Sequence, residues 1–189
     1  MNEMTGTTNP RDHFEVTTLI SGFFRTMDER RFGEGWPGAY FTGDLRTTTP
    51  LGVAEGADAV RHVEEATDRF AATLHISSDV LVQAEPGGRT ANASWNAHMT
   101  HVHLDSTLRA RGEGANPLFT VGGIYEGKLR RTDNGWRISR MSVRAVWTTG
   151  EPPLLPEETA TRVAELTGAR ASSRARRFMG GARFGSRLG

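Results

Sequence analysis

The sequence predicts an α+β protein in which a curved antiparallel sheet wraps around a long N-terminal helix and leaves a cone with one open end. Apolar residues recur at helical spacing near the N-terminus, alternating segments fill the second half of the chain, and Asn134-Gly135 joins the last two segments. Helices followed by an antiparallel run of strands define the α+β class. A cone of this kind has room for a small ligand between helix and sheet.

The first half of the chain predicts two helices and one strand. Residues 12–32 form an amphipathic helix, which the glycines and proline of 33–38 end. Its apolar positions are Val16, Leu19, Ile20, Phe23, Phe24 and Met27. A strand follows over 41–49 and a second helix over 57–72. The inward positions of the second helix are Val60, Val63 and Phe70.

The second half predicts an antiparallel meander. Its four strands cover 73–84, 89–104, 118–131 and 135–148. A hairpin loop at 85–88 joins the first two, and Asn134-Gly135 predicts a type I′ turn between the last two. Residues 105–116 read as a polar, mobile connection. The apolar parity of the last strand switches near Ser139-Arg140, which predicts a bulge or a second covered face. A second apolar face favours a homodimer.

The chain therefore divides into a disordered lead (1–10), one domain (11–150), a segment with a short C-terminal helix (151–169) and a disordered tail (170–189). We expect a cytoplasmic protein, because there is no cysteine, no signal-like N-terminus and no apolar run long enough for a membrane. Small molecules are the expected partners, with no membrane.

Charge is distributed unevenly along the chain. Residues 1–169 carry 17 basic and 22 acidic side chains, whereas 170–189 carry six arginines and no acid. A mildly acidic domain argues against nucleic-acid binding. An arginine-rich tail that recruits nucleic acid or an acidic partner stays an alternative.

Histidines are the first candidates for chemistry. Alternation along 89–104 places Trp95, Met99, His101 and His103 on the inner face and His98 on the outer face. Three interpretations of the inward pair stay open: a metal site, a structural histidine held by hydrogen bonds, and an acid/base group that titrates near neutrality. The spacing lacks the glutamate that would complete a metal site, so no metal is expected.

Asp28 and Tyr125 are further candidates. Asp28 follows Met27 on the apolar stripe of the first helix, so its carboxylate either enters the interior or lies at a solvated helix end. If it meets a histidine inside, it fixes the tautomer of the ring and favours the charged form. Tyr125 follows two glycines in VGGIYEG and either donates a hydrogen bond to a substrate oxygen or packs in the core.

These motifs resemble a known family. The succession TMDERRF, ATLHISS, an inward-histidine strand, GGIYEGKLRRTDNGWRI and Trp147 resembles the SnoaL-like branch of the nuclear transport factor 2-like superfamily, with scytalone dehydratase and the bile acid dehydratases as the nearest relatives by motif. The resemblance covers about residues 10–150. It implies a cone-shaped α+β barrel, a homo-oligomer, no cofactor and a role in polyketide or other secondary metabolism.

The resemblance also implies a site. Matched position by position, the family's helix carboxylate falls on Asp28 and its catalytic histidines fall on His75 and His101. Substrate contacts are expected from Tyr125, His103, Trp95 and Met27, the last of which stands where scytalone-type dehydratases have a tyrosine.

The sequence thus predicts a cofactor-independent lyase or isomerase, of the dehydratase or cyclase type, that acts on a polycyclic or aromatic ketone. His101 or His75 removes a proton next to a carbonyl, and Asp28 orients and charges the histidines. The alternative is a non-catalytic small-molecule-binding or accessory protein with the same fold.

Overall fold

The protein was analysed as a computed structural model, which describes residues 8–155 of the 189-residue chain. Four helices and six strands follow one another in these residues. They are α1 (Pro10–Asp28), α2 (Trp36–Tyr40), β1 (Phe41–Thr49), β2 (Gly52–Glu55), α3 (Gly56–Asp68), β3 (Phe70–Ala84), β4 (Thr90–His103), α4 (Asp105–Arg111), β5 (Leu118–Thr132) and β6 (Gly135–Gly150). The α+β class is confirmed.

The six strands form one curved sheet in the order β2-β1-β6-β5-β4-β3. The meander from β3 to β6 is antiparallel, as predicted. The sheet as a whole is mixed, since β1 pairs in parallel with β6, and β2 and β3 remain as unpaired edges. Strand pairing between distant parts of the chain leaves no local sequence signal, so this parallel pairing was not predicted. Strand β2 pairs with the neighbouring β1 but was missed, because it has only four residues.

Helix α1 begins at a capped N-terminus and packs on the concave face of the sheet. The Asn9 side chain accepts a hydrogen bond from the backbone amide of Arg11 at 3.0 Å, and Pro10 occupies the first turn. Thr8 is ordered as well, because its hydroxyl donates to the carbonyl of Val82 at 2.7 Å. Residues 8–10 of the predicted disordered lead are therefore held against the domain, and residues 1–7 lie outside the described part.

The core fills the space between α1 and the sheet. The buried residues of α1 are Asp12, Val16, Ile20, Phe23, Phe24, Thr26 and Met27. Burial along β4 alternates as predicted, with Trp95, Met99, His101 and His103 buried and His98 exposed. The sequence pattern thus identified the face of β4 that meets the helix.

Both predicted helices end earlier than expected. Helix α1 stops at Asp28, before the glycines at 33–38, because Arg30 adopts a left-handed conformation with φ of 50°. Helix α3 stops at Asp68, and Phe70 opens β3 instead of continuing the helix. The β-branched and aromatic residues after Arg69 pair with β4, and this pairing outweighs helix propensity. Residues 105–111 of the predicted loop form helix α4, and the short helix α2 was not predicted.

The turn between β5 and β6 differs from the predicted type I′ turn. Thr132 pairs with Gly135, so Asp133 and Asn134 form the loop. Only Gly135 has a positive φ, of 92°, whereas a type I′ turn requires positive values at both loop residues. The predicted bulge near Ser139 is confirmed by a register shift between Lys128 and Leu129 of the partner strand.

A second bulge was not predicted. Gly122 pairs with Trp147 and Gly123 with Ala145, so Val146 is the additional residue. This returns Trp147 to the outer face, where 47% of its surface is exposed. Residues 151–155 have no regular structure, and the predicted helix at 157–167 and the tail lie outside the described residues. No helix within residues 8–155 has the length and apolarity that crossing a membrane requires.

Candidate active site

Asp28 and His75 form a hydrogen-bonded pair between α1 and β3. Asp28 is the last residue of α1, and its Oδ1 lies 2.6 Å from His75 Nδ1. Its other oxygen accepts the backbone amide of His75 at 2.8 Å, and the hydroxyl of Thr73 donates to Oδ1 at 2.8 Å. The side chains of His75 and Asp28 are only 4% and 13% exposed. Three donors therefore fix one carboxylate in a nearly dry environment.

The charge of Asp28 decides which nitrogen of His75 carries the proton. Burial alone would raise the pKa of Asp28, but the hydrogen bonds from His75 and Thr73 outweigh burial and hold the pKa below its ordinary value. The carboxylate is thus ionised at neutral pH and only accepts hydrogen bonds. His75 donates from Nδ1, which leaves Nε2 with a free lone pair. This nitrogen is suited to act as a base.

His101 lies beside His75 but has a different partner. The two ring centroids are 5.6 Å apart and the rings are perpendicular at 89°. His101 Nδ1 donates to the carbonyl of Phe119 at 3.0 Å, so its Nε2 is also an acceptor. Burial is the main cause that lowers the pKa of His101 to about 4. At neutral pH His101 is a neutral hydrogen-bonding group. Of the two histidines, only His75 is hydrogen-bonded to Asp28, so the expectation that Asp28 orients and charges both is not met.

Phe70 and His103 complete this end of the site. The Phe70 ring centroid is 4.4 Å from that of His101 and 5.6 Å from that of His103. His103 donates from Nε2 to the carbonyl of Glu151 at 3.0 Å, and its buried Nδ1 has no partner among the described residues. His103 therefore lies beside His101, and one of its ring nitrogens is hydrogen-bonded to the segment after β6.

Tyr125 and Trp95 lie deeper in the core. Their rings stack at 5.2 Å, and within residues 8–155 the Tyr125 hydroxyl donates only to the thioether of Met99, at 3.5 Å. Burial raises the pKa of Tyr125, which keeps its proton in place. The Phe24 ring packs against both this region and the Asp28–His75 pair, which we call the dyad. Its centroid lies 5.4 Å from that of Tyr125 and 5.2 Å from that of His75. Met27 packs in the hydrophobic core one residue before Asp28.

Several residues of the site escaped the sequence analysis. Phe70 packs against the His101 ring, Thr73 donates to Asp28, and the carbonyl of Phe119 accepts from His101. The guanidinium of Arg30 donates to the carbonyl of Phe70. Phe70 was assigned to a helix, which hid its place opposite His103 in the sheet. The alternation of side chains along 73–84 places Thr73 on the same face as His75, so the sequence could have identified Thr73 as a neighbour of the histidine.

Open space lies elsewhere on the described surface. A cavity of about 480 Å³ lies on the outer face of the sheet around Lys128 and Arg140, and another of about 520 Å³ lies near Phe14 and Trp136. Neither is lined by Asp28, His75 or His101. Residues 8–155 contain no group of three or more His, Cys, Asp or Glu side chains placed to hold a metal ion. The buried histidine–aspartate pair is therefore a candidate site because of its chemistry.

The family to which the protein belongs follows from comparison with known proteins. The SnoaL-like domain family matches residues 10–142, which is most of the chain and all of the site. The protein belongs to the SnoaL-like family. Its structural neighbours include members of the nuclear transport factor 2-like superfamily, which confirms the resemblance found in the sequence.

Three solved structures illustrate the similarity. A nuclear transport factor 2-like superfamily protein from Salmonella enterica has a TM-score of 0.59 and 16% identity, over 74% of this chain and 94% of its own. A proposed scytalone dehydratase from Novosphingobium aromaticivorans has a TM-score of 0.59 and 18% identity, over 76% and 91%. The hexachlorocyclohexane dehydrochlorinase LinA-type3 from Novosphingobium barchaimii has a TM-score of 0.59 and 15% identity, over 78% and 99%. No curated protein matches the sequence significantly.

Proposed function

We propose that the protein is a cofactor-independent lyase or isomerase in which His75 is the general base and Asp28 orients it. The observation that carries the proposal is the 2.6 Å contact between Asp28 Oδ1 and His75 Nδ1 in a nearly buried site, with the His101 ring beside it. A positioned base of this kind contributes about 10²–10⁴ in rate. The family's lyase-type relatives support the assignment.

The reaction begins with proton transfer to His75. Its Nε2 removes a proton from the carbon next to a carbonyl, and the electron pair of the C–H bond forms a double bond as the carbonyl becomes an enolate. Asp28 stabilises the imidazolium that results. In an elimination, the enolate expels a β-hydroxyl group, which takes the proton from His75 and leaves as water. In an isomerisation, His75 returns the proton to a different carbon.

Two further groups are assigned to the substrate's oxygens. His101 stays neutral, and its Nε2 accepts a hydrogen bond from a substrate hydroxyl. Among the described residues the Tyr125 hydroxyl has only the Met99 thioether as an acceptor, which is a weak one, so we assign this hydroxyl to a carbonyl or enolate oxygen of the substrate. Such a donor stabilises charge that develops only in the transition state.

Aromatic and polycyclic ketones are the proposed substrates. Phe24, Phe70 and Phe119 lie against His75 or His101 and favour a flat, apolar ligand with few polar groups. Two of the enzymes among the structural neighbours agree with an elimination, since a dehydratase removes water and a dehydrochlorinase removes hydrogen chloride.

The proposal is tested by proton exchange. The full-length protein is incubated in D2O with a panel of aromatic and polycyclic β-hydroxyketones, and deuterium uptake next to the carbonyl is followed by NMR together with loss of water. We expect exchange of at least one ketone, slowed about 10²–10⁴-fold in H75Q. The matched control H62Q changes an exposed histidine of α3, away from both the site and the outer face of the sheet, and should exchange at the wild-type rate. Equal rates in wild type and H75Q would contradict the proposal.

A non-catalytic binding protein is the second candidate. It is favoured by the near-complete burial of the His75 side chain, which leaves little room for a reacting ligand in this conformation. A binding protein would retain ketones with the same affinity in wild type and H75Q and would exchange no proton in either. The same panel therefore distinguishes the two functions.

We also propose that two copies associate through the outer face of the sheet. Leu74, Ile76, Leu81 and Trp147 are between 47% and 66% exposed on that face, although all are large and apolar. Ile76, His98, Gly122 and Trp147 follow one another across four neighbouring strands, so much of this surface is continuous. A second copy with the same surface would cover it.

A further inference from the structure

Arg30 holds a strained backbone position directly after the helix that carries Asp28. Its φ is 50°, in the left-handed region that usually selects glycine or asparagine. The amides of Arg30 and Arg31 donate to the carbonyls of Met27 and Thr26 at 3.1 and 3.0 Å. These two bonds are the Schellman motif, in which the left-handed residue closes the helix. A glycine would serve this turn with less strain, so the arginine side chain needs a separate reason.

The guanidinium group of Arg30 supplies that reason. It is partly buried, and its Nη2 donates to the carbonyls of Thr67 and Phe70 at 3.0 and 2.8 Å. A weaker contact of 3.4 Å joins Nη1 to the carbonyl of Asp28. Thr67 lies in the last turn of α3 and Phe70 is the first residue of β3. One side chain thus connects the end of α1 to the junction of α3 and β3.

Both elements that Arg30 connects carry parts of the proposed site. Asp28 ends α1 and receives hydrogen bonds from Thr73 and His75 of β3. Phe70 packs against the His101 ring at 4.4 Å. The dyad and Arg30 are therefore two adjacent tethers between the same helix and the same strand. Arg30 thus adds hydrogen bonds of its own to those that join Asp28 with Thr73 and His75.

We propose that Arg30 is a positioning residue, which holds Asp28 against His75 and Phe70 against His101. Its significance for catalysis rests on the proposed function, but its effect on geometry is measurable without a substrate. A guanidinium is suited to this role, because its planar group carries several donors at fixed angles and stays charged.

The test follows the proton that His75 shares with Asp28. In the full-length protein with ¹⁵N-labelled histidine, a proton between an imidazole and a carboxylate gives a low-field resonance protected from exchange with water. R30M keeps the length of the side chain and the strained backbone but removes every donor, and we expect loss of the resonance. The exposed neighbour gives the matched control R31M, which should keep it, and R30K should restore it in part through one remaining donor group.

The outcomes are separable. A wild-type protein without the resonance, or an R30M variant that keeps it unchanged, would overturn the proposal. If R30M does not fold, R30G decides by the same criterion, since glycine relieves the left-handed strain and also lacks the donors. Failure of the proposed function appears in a different experiment, in which wild-type protein exchanges no ketone proton although Arg30 behaves as expected.

Discussion

At the scale of residues, the site gives two neighbouring histidines different chemistry. Asp28 binds Nδ1 of His75, whereas a backbone carbonyl binds Nδ1 of His101. Both rings therefore present Nε2 as an acceptor, but only His75 has a carboxylate that stabilises its protonated form. Burial keeps His101 neutral. The proposed reaction uses both groups, with His75 as the base and His101 as the acceptor of a substrate hydroxyl.

The lowered pKa of His101 predicts a pH dependence of stability. Its pKa falls from 6.5 to about 4 in the folded protein, so between these values the unfolded chain binds a proton that the folded protein does not. The free energy of unfolding should therefore decrease as the pH is lowered from about 6.5 to about 4, by at most about 3 kcal/mol from this group. Its contribution is fully present above 6.5 and absent below 4.

Urea unfolding at several pH values checks this prediction with H101N. Asparagine keeps a donor for the carbonyl of Phe119 and does not titrate, so the slope between pH 6.5 and 4 should be smaller than in wild type. Identical slopes in the two proteins would show that His101 titrates normally in the fold.

Much of the site follows from sequence patterns at this scale. Strand alternation predicted that His101 and His103 point inward, which the burial of β4 agrees with. The apolar stripe of the first helix allowed Asp28 to lie either in the interior or at a solvated helix end. The structure places the Asp28 carboxylate in the interior. Periodicity does not reveal the choice of partner, because the distance from Asp28 to His75 depends on where α1 stops. That endpoint coincides with the left-handed conformation of Arg30, whose side chain binds the carbonyls of Thr67 and Phe70, residues about forty positions further along the chain.

At the scale of elements, the end of β6 and the residue after it lie against the site at His103. The carbonyl of Glu151, directly after β6, binds His103, and Arg111 at the end of α4 forms a salt bridge with Glu151 at 3.0 Å. Gly150 precedes this segment with φ of 79°, and a Cβ there would collide with the carbonyl oxygen of Leu118 on β5. A glycine is required at 150 for both reasons.

G150A should therefore destabilise the protein more than G87A. Gly87 also has a positive φ, of 95°, but has open space around it, so alanine there costs only the left-handed strain of about 1–2 kcal/mol. The backbone collision at 150 should add at least about 1 kcal/mol. Urea denaturation of both variants measures the difference. Equal losses of stability would mean that the end of β6 moves without penalty.

The element boundaries show what local patterns can predict. The strands of the meander were found to within about three residues, because alternation and turn residues act over short distances. The parallel pairing of β1 with β6 joins residues about a hundred positions apart, such as Phe41 and Ile138. Nothing in either segment alone specifies that partner. The bulge at Val146 was also missed, since the apolar sequence around Trp147 continues the same alternation.

At the scale of the whole molecule, the exposed apolar surface predicts a homodimer. Ile76 lies on the edge strand β3, at one end of the row that runs through His98 and Gly122 to Trp147, and is 52% exposed. I76D should place a charge in the interface and yield monomers, because a buried unpaired carboxylate costs several kcal/mol. V53D is the matched control, as Val53 is 53% exposed but lies on the opposite edge strand. Light scattering after size-exclusion chromatography reads the result, and a monomeric wild type would contradict the dimer.

The most direct test of the central claim is the tautomer of His75, measured from its ¹⁵N chemical shifts at neutral pH. The account predicts a proton on Nδ1 and a free Nε2 in the wild type, because the ionised carboxylate of Asp28 accepts that proton. In D28N the proton of His75 should no longer be confined to Nδ1, while His101 keeps its proton on Nδ1, which donates to the carbonyl of Phe119. A wild-type His75 with its proton on Nε2 would contradict the account, since that nitrogen could not then act as the base.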